Sequence, residues 1–192
     1  MELEQNSKGM RSTQIAEFDY QNRECGTCSM CCQGYLYGEA YNAPFFPNHP
    51  CHYWDPEGGT RGCGGCSIHQ DRPAICVQFN CLWKQTKQMP MWMKPNNSKV
   101  LVYTREWKDS TGEFLRPGES LQWISAVECG QQMDSNVLSW LIQQARYSNW
   151  NLHYQLKGQD HYLGSEQFHK FVDSSKELQQ DILYNGQQNP IK

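Results

Sequence analysis

The sequence predicts an α+β fold: a loop-rich cysteine-cluster unit followed by a small antiparallel sheet with two helices. Three observations carry that reading. Nine of the ten cysteines crowd between Cys25 and Cys81, along with more than half of the glycines and prolines. Two later stretches, 98–107 and 114–127, alternate apolar and polar residues as strands do. Two others, 135–145 and 165–183, carry apolar residues at helical spacing.

Residues 1–24 read as an N-terminal arm with few apolar side chains. Residues 25–97 form the cysteine-cluster region, expected as loops and short helical turns. Its last part, KQTKQMPMWMKPNN, reads as a connector in which Pro90 and Pro95 interrupt any helix. Residues 98–192 form an α+β region packed against it. SKVLVYTREW and FLRPGESLQWISAV pair as an antiparallel hairpin around a turn at 108–113. Asp134 or Ser135 caps the next helix, whose apolar face is Val137, Leu138, Trp140, Leu141, Ile142 and Ala145. WNLHYQL and HYL flank a turn at 157–160 and form a second hairpin. A last helix begins near Ser165 with a stripe of Phe168, Phe171, Val172, Leu178, Ile182 and Leu183, and Gly186 and Pro190 end it.

Composition narrows the function. The net charge is −3, and the 17 Lys and Arg form no run, so no nucleic-acid partner is expected. The opening MELEQNSKGMRSTQ is polar, unlike a secretory signal, and no apolar stretch is long enough to span a membrane. A reducing cytoplasm is the expected compartment, and there a dense cysteine pattern points to metal rather than disulfides. Hydrophobic content is only 38 %, so a metal site that supplies folding energy would make up for a thin core. The unit at 25–97 is therefore expected to be metal-nucleated.

The densest signal is CGTCSMCC, with Cys25, Cys28, Cys31 and Cys32. Two overlapping two-residue gaps curl the backbone so that successive thiolates converge. Cys31 and Cys32 are adjacent, so their side chains diverge, which points to two centres or to one ligand beside a supporting thiol. Cys51, Cys63, Cys66, Cys76 and Cys81 form the second group. Gly64 and Gly65, between Cys63 and Cys66, make a tight knuckle in which amides can point at sulfur. Pro73 is placed to open a short helix, and Arg72 to offset thiolate charge. His52 and His69 lie beside cysteines and are read as structural. Cys129 stands apart and reads as a buried thiol.

CGTCSMCC, then Pro50 and Cys51, then GCSIHQDRPAICVQFNCLW, resembles the zinc- or iron-chelating cysteine-cluster family, to which a domain of flagellin lysine N-methylase is related. The resemblance covers about residues 25–104. It implies metal ligation by Cys25, Cys28, Cys31, Cys32, Cys51, Cys66, Cys76 and Cys81, with Arg72 and Pro73 on the family's Arg-Pro step. His69 stands where the family has Tyr, and Cys63 is less regular there. Eight cysteines suit two four-sulfur zinc sites or one four-iron cluster with ligands left over; the triple cysteine step inclines the reading to iron–sulfur.

Neither a phosphate-cradling loop, a dinucleotide fingerprint nor a nucleophile elbow is present. The expected function is thus a metal-binding protein whose site is structural. One alternative is an assembly component of a large complex such as a virion, or a homo-oligomer, whose Asn-, Gln- and aromatic-rich second half and polar ends are held by neighbouring chains. Another, by analogy with the family, is a methyltransferase or redox enzyme.

Overall fold

The computed structural model describes residues 23–57, 64–108, 115 and 119–175. Cys63, most of the predicted arm, and Leu178, Ile182, Leu183, Gly186 and Pro190 of the predicted last helix lie outside them. Short elements build the cysteine-rich half. A 3-10 turn at Met30–Cys32 is followed by β1 (Gly38–Ala40) and β2 (Ala43–Phe45), an antiparallel pair. The hairpin arises because Tyr41 (φ 49°) and Asn42 (φ 64°) both adopt the left-handed region, which fits the twist of a two-residue turn. Next come α1 (Ala74–Gln78), α2 (Leu82–Gln85), a second 3-10 turn at Met91–Met93, and α3 (Pro95–Ser98). The prolines punctuate as expected: Pro90 precedes the 3-10 turn, and Pro95 opens α3 where its missing N–H has no role.

The second half is one four-stranded sheet. β3 (Val100–Lys108) pairs with β4 (Ser120–Glu128) in antiparallel register, from Val100 opposite Glu128 to Lys108 opposite Ser120. Asp134 caps α4 (Ser135–Tyr147), its carboxylate accepting the Asn136 N–H at 2.8 Å. α4 carries the chain over the sheet, so β5 (Leu152–Leu156) joins β4 in parallel. The sheet is therefore mixed, where the sequence predicted antiparallel pairing only. β6 (Gln159–Leu163) closes the order β3-β4-β5-β6. Its hairpin turn is tighter than predicted, because Lys157 (φ 55°) and Gly158 (φ 73°) alone make it. Residues 166–175 form α5. No helix among the described residues is long and apolar enough to cross a membrane.

Strand alternation decides where the core sits. Val100, Val102, Ile124, Ala126 and Leu152 face α4 and bury its stripe of Val137, Leu141 and Ala145. Leu82, Trp83, Met89 and Met93 complete that layer, so the predicted connector is core rather than linker. On the opposite sheet face, Leu101 and Val127 pair across the strands and pack with Met30, Leu36, Ala40, Phe45, Cys51 and Cys129. The cysteine-rich half thus uses the sheet as its floor. At the far end Leu115, Leu121, Phe168 and Val172 form a third cluster.

One carboxylate holds the sheet's open end. Glu128 accepts from the Met133 N–H (2.7 Å) after β4, and from the Lys157 (3.1 Å) and Gly158 (2.9 Å) N–H groups of the β5–β6 turn. Burial opposes its charge, but the three amides outweigh burial and hold its carboxyl below the ordinary value. A carboxyl lowered in the folded state contributes stability above its unfolded pKa and loses it as pH falls. Glu128→Gln, which sets an amide donor against a backbone donor, is expected to lower stability by about 1–3 kcal/mol at pH 7. Urea unfolding of both proteins should show the gap shrinking as pH falls below about 4.

Candidate metal centre

Local backbone bonds gather the cysteines. The Cys28 N–H donates to Cys25 O (3.0 Å) and the Cys32 N–H to Ser29 O (2.8 Å), which curls CGTCSMCC into consecutive turns. The Cys51 N–H donates to Cys32 O (2.8 Å), bringing the middle cysteine alongside the doublet. Trp54 forms a β-bridge with Cys66. Gly64 and Gly65 make this approach possible: both have positive φ, and a Cβ would meet Thr27 O at 2.6 Å and Asp55 O at 2.0 Å, respectively. Pro73 is the N-cap of α1, one residue ahead of its predicted place, and α1 holds Cys76. Cys81 is the N-cap of α2.

The eight predicted ligands fall into two groups within electrostatic reach of one another. Cys32, Cys51, Cys66 and Cys76 form one, in which every pair interacts. Cys25, Cys28 and Cys81 form the other, again with every pair interacting. Cys31 stands at the join, its Sγ 3.7 Å from that of Cys32, and Cys32 also reaches Cys25. The described cysteines are all thiols, with no disulfide among them. Among the described residues no three His, Cys, Asp or Glu side chains already stand closely enough to hold a metal ion. The sulfurs are assembled on one wall but not closed around a point.

Burial dominates their chemistry. It pushes up the thiols of Cys28, Cys51, Cys66 and Cys76, and that of Cys81 to about 11. Backbone amides oppose it in a repeated pattern. The N–H two residues on points at sulfur in four cases: Met30 at Cys28, Tyr53 at Cys51, Ile68 at Cys66 and Trp83 at Cys81. Asn96 adds a donor to Cys28, and Lys84 one to Cys81. Such donors stabilise thiolate once it forms. Cys32 is lowered instead, chiefly by the Cys31 thiol hydrogen-bonded to it.

Cations flank both groups. Arg72 lies within electrostatic reach of Cys32, Cys66 and Cys76. Arg23 reaches Cys81 and Lys94 reaches Cys28. Sequence reasoning missed both, placing Arg23 in the arm and Lys94 in the connector; only an Arg two residues before the first cysteine hinted at a role. Four buried side-chain atoms have no hydrogen-bond partner among the described residues: Arg23 Nε, Arg72 Nε, Trp83 Nε1 and Asn96 Oδ1. Each belongs to a residue named above as interacting with these cysteines, through its backbone or its charge. Natural cores leave few such atoms, and their concentration here fits a thiol wall whose charge arrives with a bound cation or cluster.

The His69 backbone N–H donates to Cys66 O at 3.4 Å. His52 meets Tyr53 edge-on at 5.2 Å, and His49 stacks on Phe46 at 4.6 Å. Burial is the first cause lowering His69, with Arg72 and Lys84 adding to it. Comparison with family models, with curated proteins and with solved structures finds no match.

Cys129 is buried in the core shared with the cluster, its thiol donating to Val127 O at 3.6 Å and pushed up to about 12 by burial. It is expected to resist iodoacetamide at pH 8 in the folded protein and to react once urea unfolds it. Peptide mass spectrometry of alkylated samples checks this; modification without urea would contradict the burial.

Proposed function

We propose that this chain is a metal-binding cysteine-cluster protein whose site is structural. Zinc or an iron–sulfur cluster, held by thiolates of Cys25, Cys28, Cys31, Cys32, Cys51, Cys66, Cys76 and Cys81, staples the first half of the chain to the sheet. The observation that carries the reading is the coincidence of eight gathered thiols, amide donors aimed at sulfur, and all four orphaned polar atoms in one region. The division into two groups favours two centres, with Cys31 and Cys32 parting between them. A bound cation of this kind would supply charge compensation and fixed geometry. The chain supplies thiolates, N–H donors and the arginines.

In this reading metal binding is coupled to folding, because the cysteine-rich half consists of short elements on a small apolar core. Anaerobic purification with elemental analysis and an optical spectrum tests the reading. Stoichiometric metal is expected: a broad visible absorption with iron and sulfide, or a colourless protein with zinc. A folded protein without metal, indifferent to chelator, would overturn it. Cys76→Ser is expected to lose metal from the group of Cys32, Cys51 and Cys66, and Cys28→Ser from that of Cys25 and Cys81. Both should open 25–83 to limited proteolysis, read by metal-to-protein ratio and cleavage pattern.

A second reading has its own observation. Tyr37 (67 % exposed), Tyr41, Ile75, Val77, Met91 and Trp92 leave apolar surface on the cysteine-rich half and the turns behind it. Were these side chains joined in one patch, it would mark a contact between chains, and the metal staple would then shape a component of a larger assembly. Native mass measurement tests it, and a monomer at high concentration would count against it.

A further inference from the structure

Arg23 is 7 % exposed. Its Nη1 donates to Trp83 O and to Thr86 O (3.1 Å), and its Nη2 to Met89 O (2.8 Å). Its guanidinium lies 5.0 Å from the centroid of the Trp83 ring. A fourth donor, Nε–H, is buried without a partner. The ion pairs among the described residues join His153 to Asp160 and Glu166 to Lys170, and neither involves Arg23. A cation this deep needs an anion. Among the described residues, a group in reach that can become one is the Cys81 sulfur. Half-buried Lys94 has its ammonium 5.2 Å from the same indole centroid and within reach of Cys28. Negative charge at Cys81 would favour Arg23, and at Cys28 it would favour Lys94.

We propose that Arg23, clamped on the carbonyls that follow Cys81, is a positioning residue of the metal site: it supplies counter-charge, and its Nε–H, to the thiolate formed at Cys81. The inference rests on the metal-binding reading above. As each thiol becomes a ligand its S–H bond breaks, the proton leaves to water, and the sulfur electron pair forms the bond to the cation. Arg23 stabilises the charge left on the group. By reciprocity, the loaded site holds Arg23 in its clamp on the Trp83, Thr86 and Met89 carbonyls. Arg72, with its own buried and unpartnered Nε, has the same part at Cys32, Cys66 and Cys76.

The test uses the full chain loaded with zinc or cobalt. Affinities are measured by competition with a chromophoric chelator, and thermal midpoints with and without metal, for wild type, Arg23→Gln, Arg23→Lys and Arg72→Gln. Arg23→Gln is expected to weaken one bound metal by about ten- to a hundred-fold and leave the other unchanged, with Arg72→Gln weakening the other. Arg23→Lys keeps charge but lacks Nε–H, so it should recover part of the affinity while shifting the cobalt–thiolate charge-transfer band. Arg23→Gln should lower the metal-loaded midpoint more than the metal-free one. If Arg23→Gln fails to fold, Arg23→Lys decides by the same readouts. Wild-type affinity in a folded variant, or equal falls with and without metal, would make Arg23 a clamp on three carbonyls and overturn the proposal. A wild-type chain that takes up no metal overturns the metal-binding reading and this inference with it, an outcome distinct from the first.

Discussion

Burying sulfur without burying charge is the constraint on which the cysteine-rich half depends. A thiol is a small hydrophobe, and Cys51 and Cys129 sit in the same core as Leu36, Phe45, Leu101 and Val127. A thiolate in that place is costly unless donors and cations surround it. The chain provides for both conditions. Burial favours the neutral thiols, while amides two residues on from four cysteines, and Arg23, Arg72 and Lys94, stand ready for the charged form. Such a region accommodates neutral sulfur by burial and has donors and cations at hand for charged sulfur.

The sheet makes that arrangement possible. β3 has no solvent face at its start: Val100 and Val102 go to α4, and Leu101 goes to the cysteine side. A two-sided strand of this kind cannot slip register without exchanging one core for the other. The position of the cysteine wall relative to α4 is therefore set by strand alternation, and the short turns between Leu82 and Ser98 only have to fill the gap. They do so with Trp83, Met89 and Met93, all buried, where Met adapts to an irregular space.

What the sequence made legible followed from periodicity and spacing. β3, α4 with its Asp134 cap, and the start of α5 near Ser165 stand where alternation and capping put them, whereas β4 begins at Ser120, later than the stretch read from 114. The hairpin at Gly38–Phe45 was not legible, because its strands are three residues each and too short to show a period. The parallel joining of β4 to β5 is a tertiary choice made by where α4 packs, which no local pattern records. The local turns that bring Cys25, Cys28 and Cys32 together follow from their close spacing. The place of Arg23 was not legible, since its partners lie sixty or more positions away at Trp83, Thr86 and Met89.

The sheet also contains a row that imitates catalytic machinery. Ser125 Oγ lies 3.2 Å from His153 Nδ1, and His153 Nε2 lies 2.8 Å from Asp160 Oδ1. Serine, histidine and carboxylate in hydrogen-bonded sequence are the parts of an acyl-transfer nucleophile. Here their places argue for a different role. Ser125 has no exposed surface, so no substrate reaches its oxygen. It sits opposite His153 in the β4–β5 register, and Asp160 comes from β6, so the row binds three successive strands. Tyr162 stacks on His153 at 5.1 Å and covers the ring. β4 and β5 share only three paired positions, Ile124 to Ala126 with Leu152 to Tyr154. A polar tie across that short parallel junction reinforces the seam where the sheet has the fewest backbone pairs, and the seam lies beside Ala126 and Val127, which carry the two cores on opposite faces.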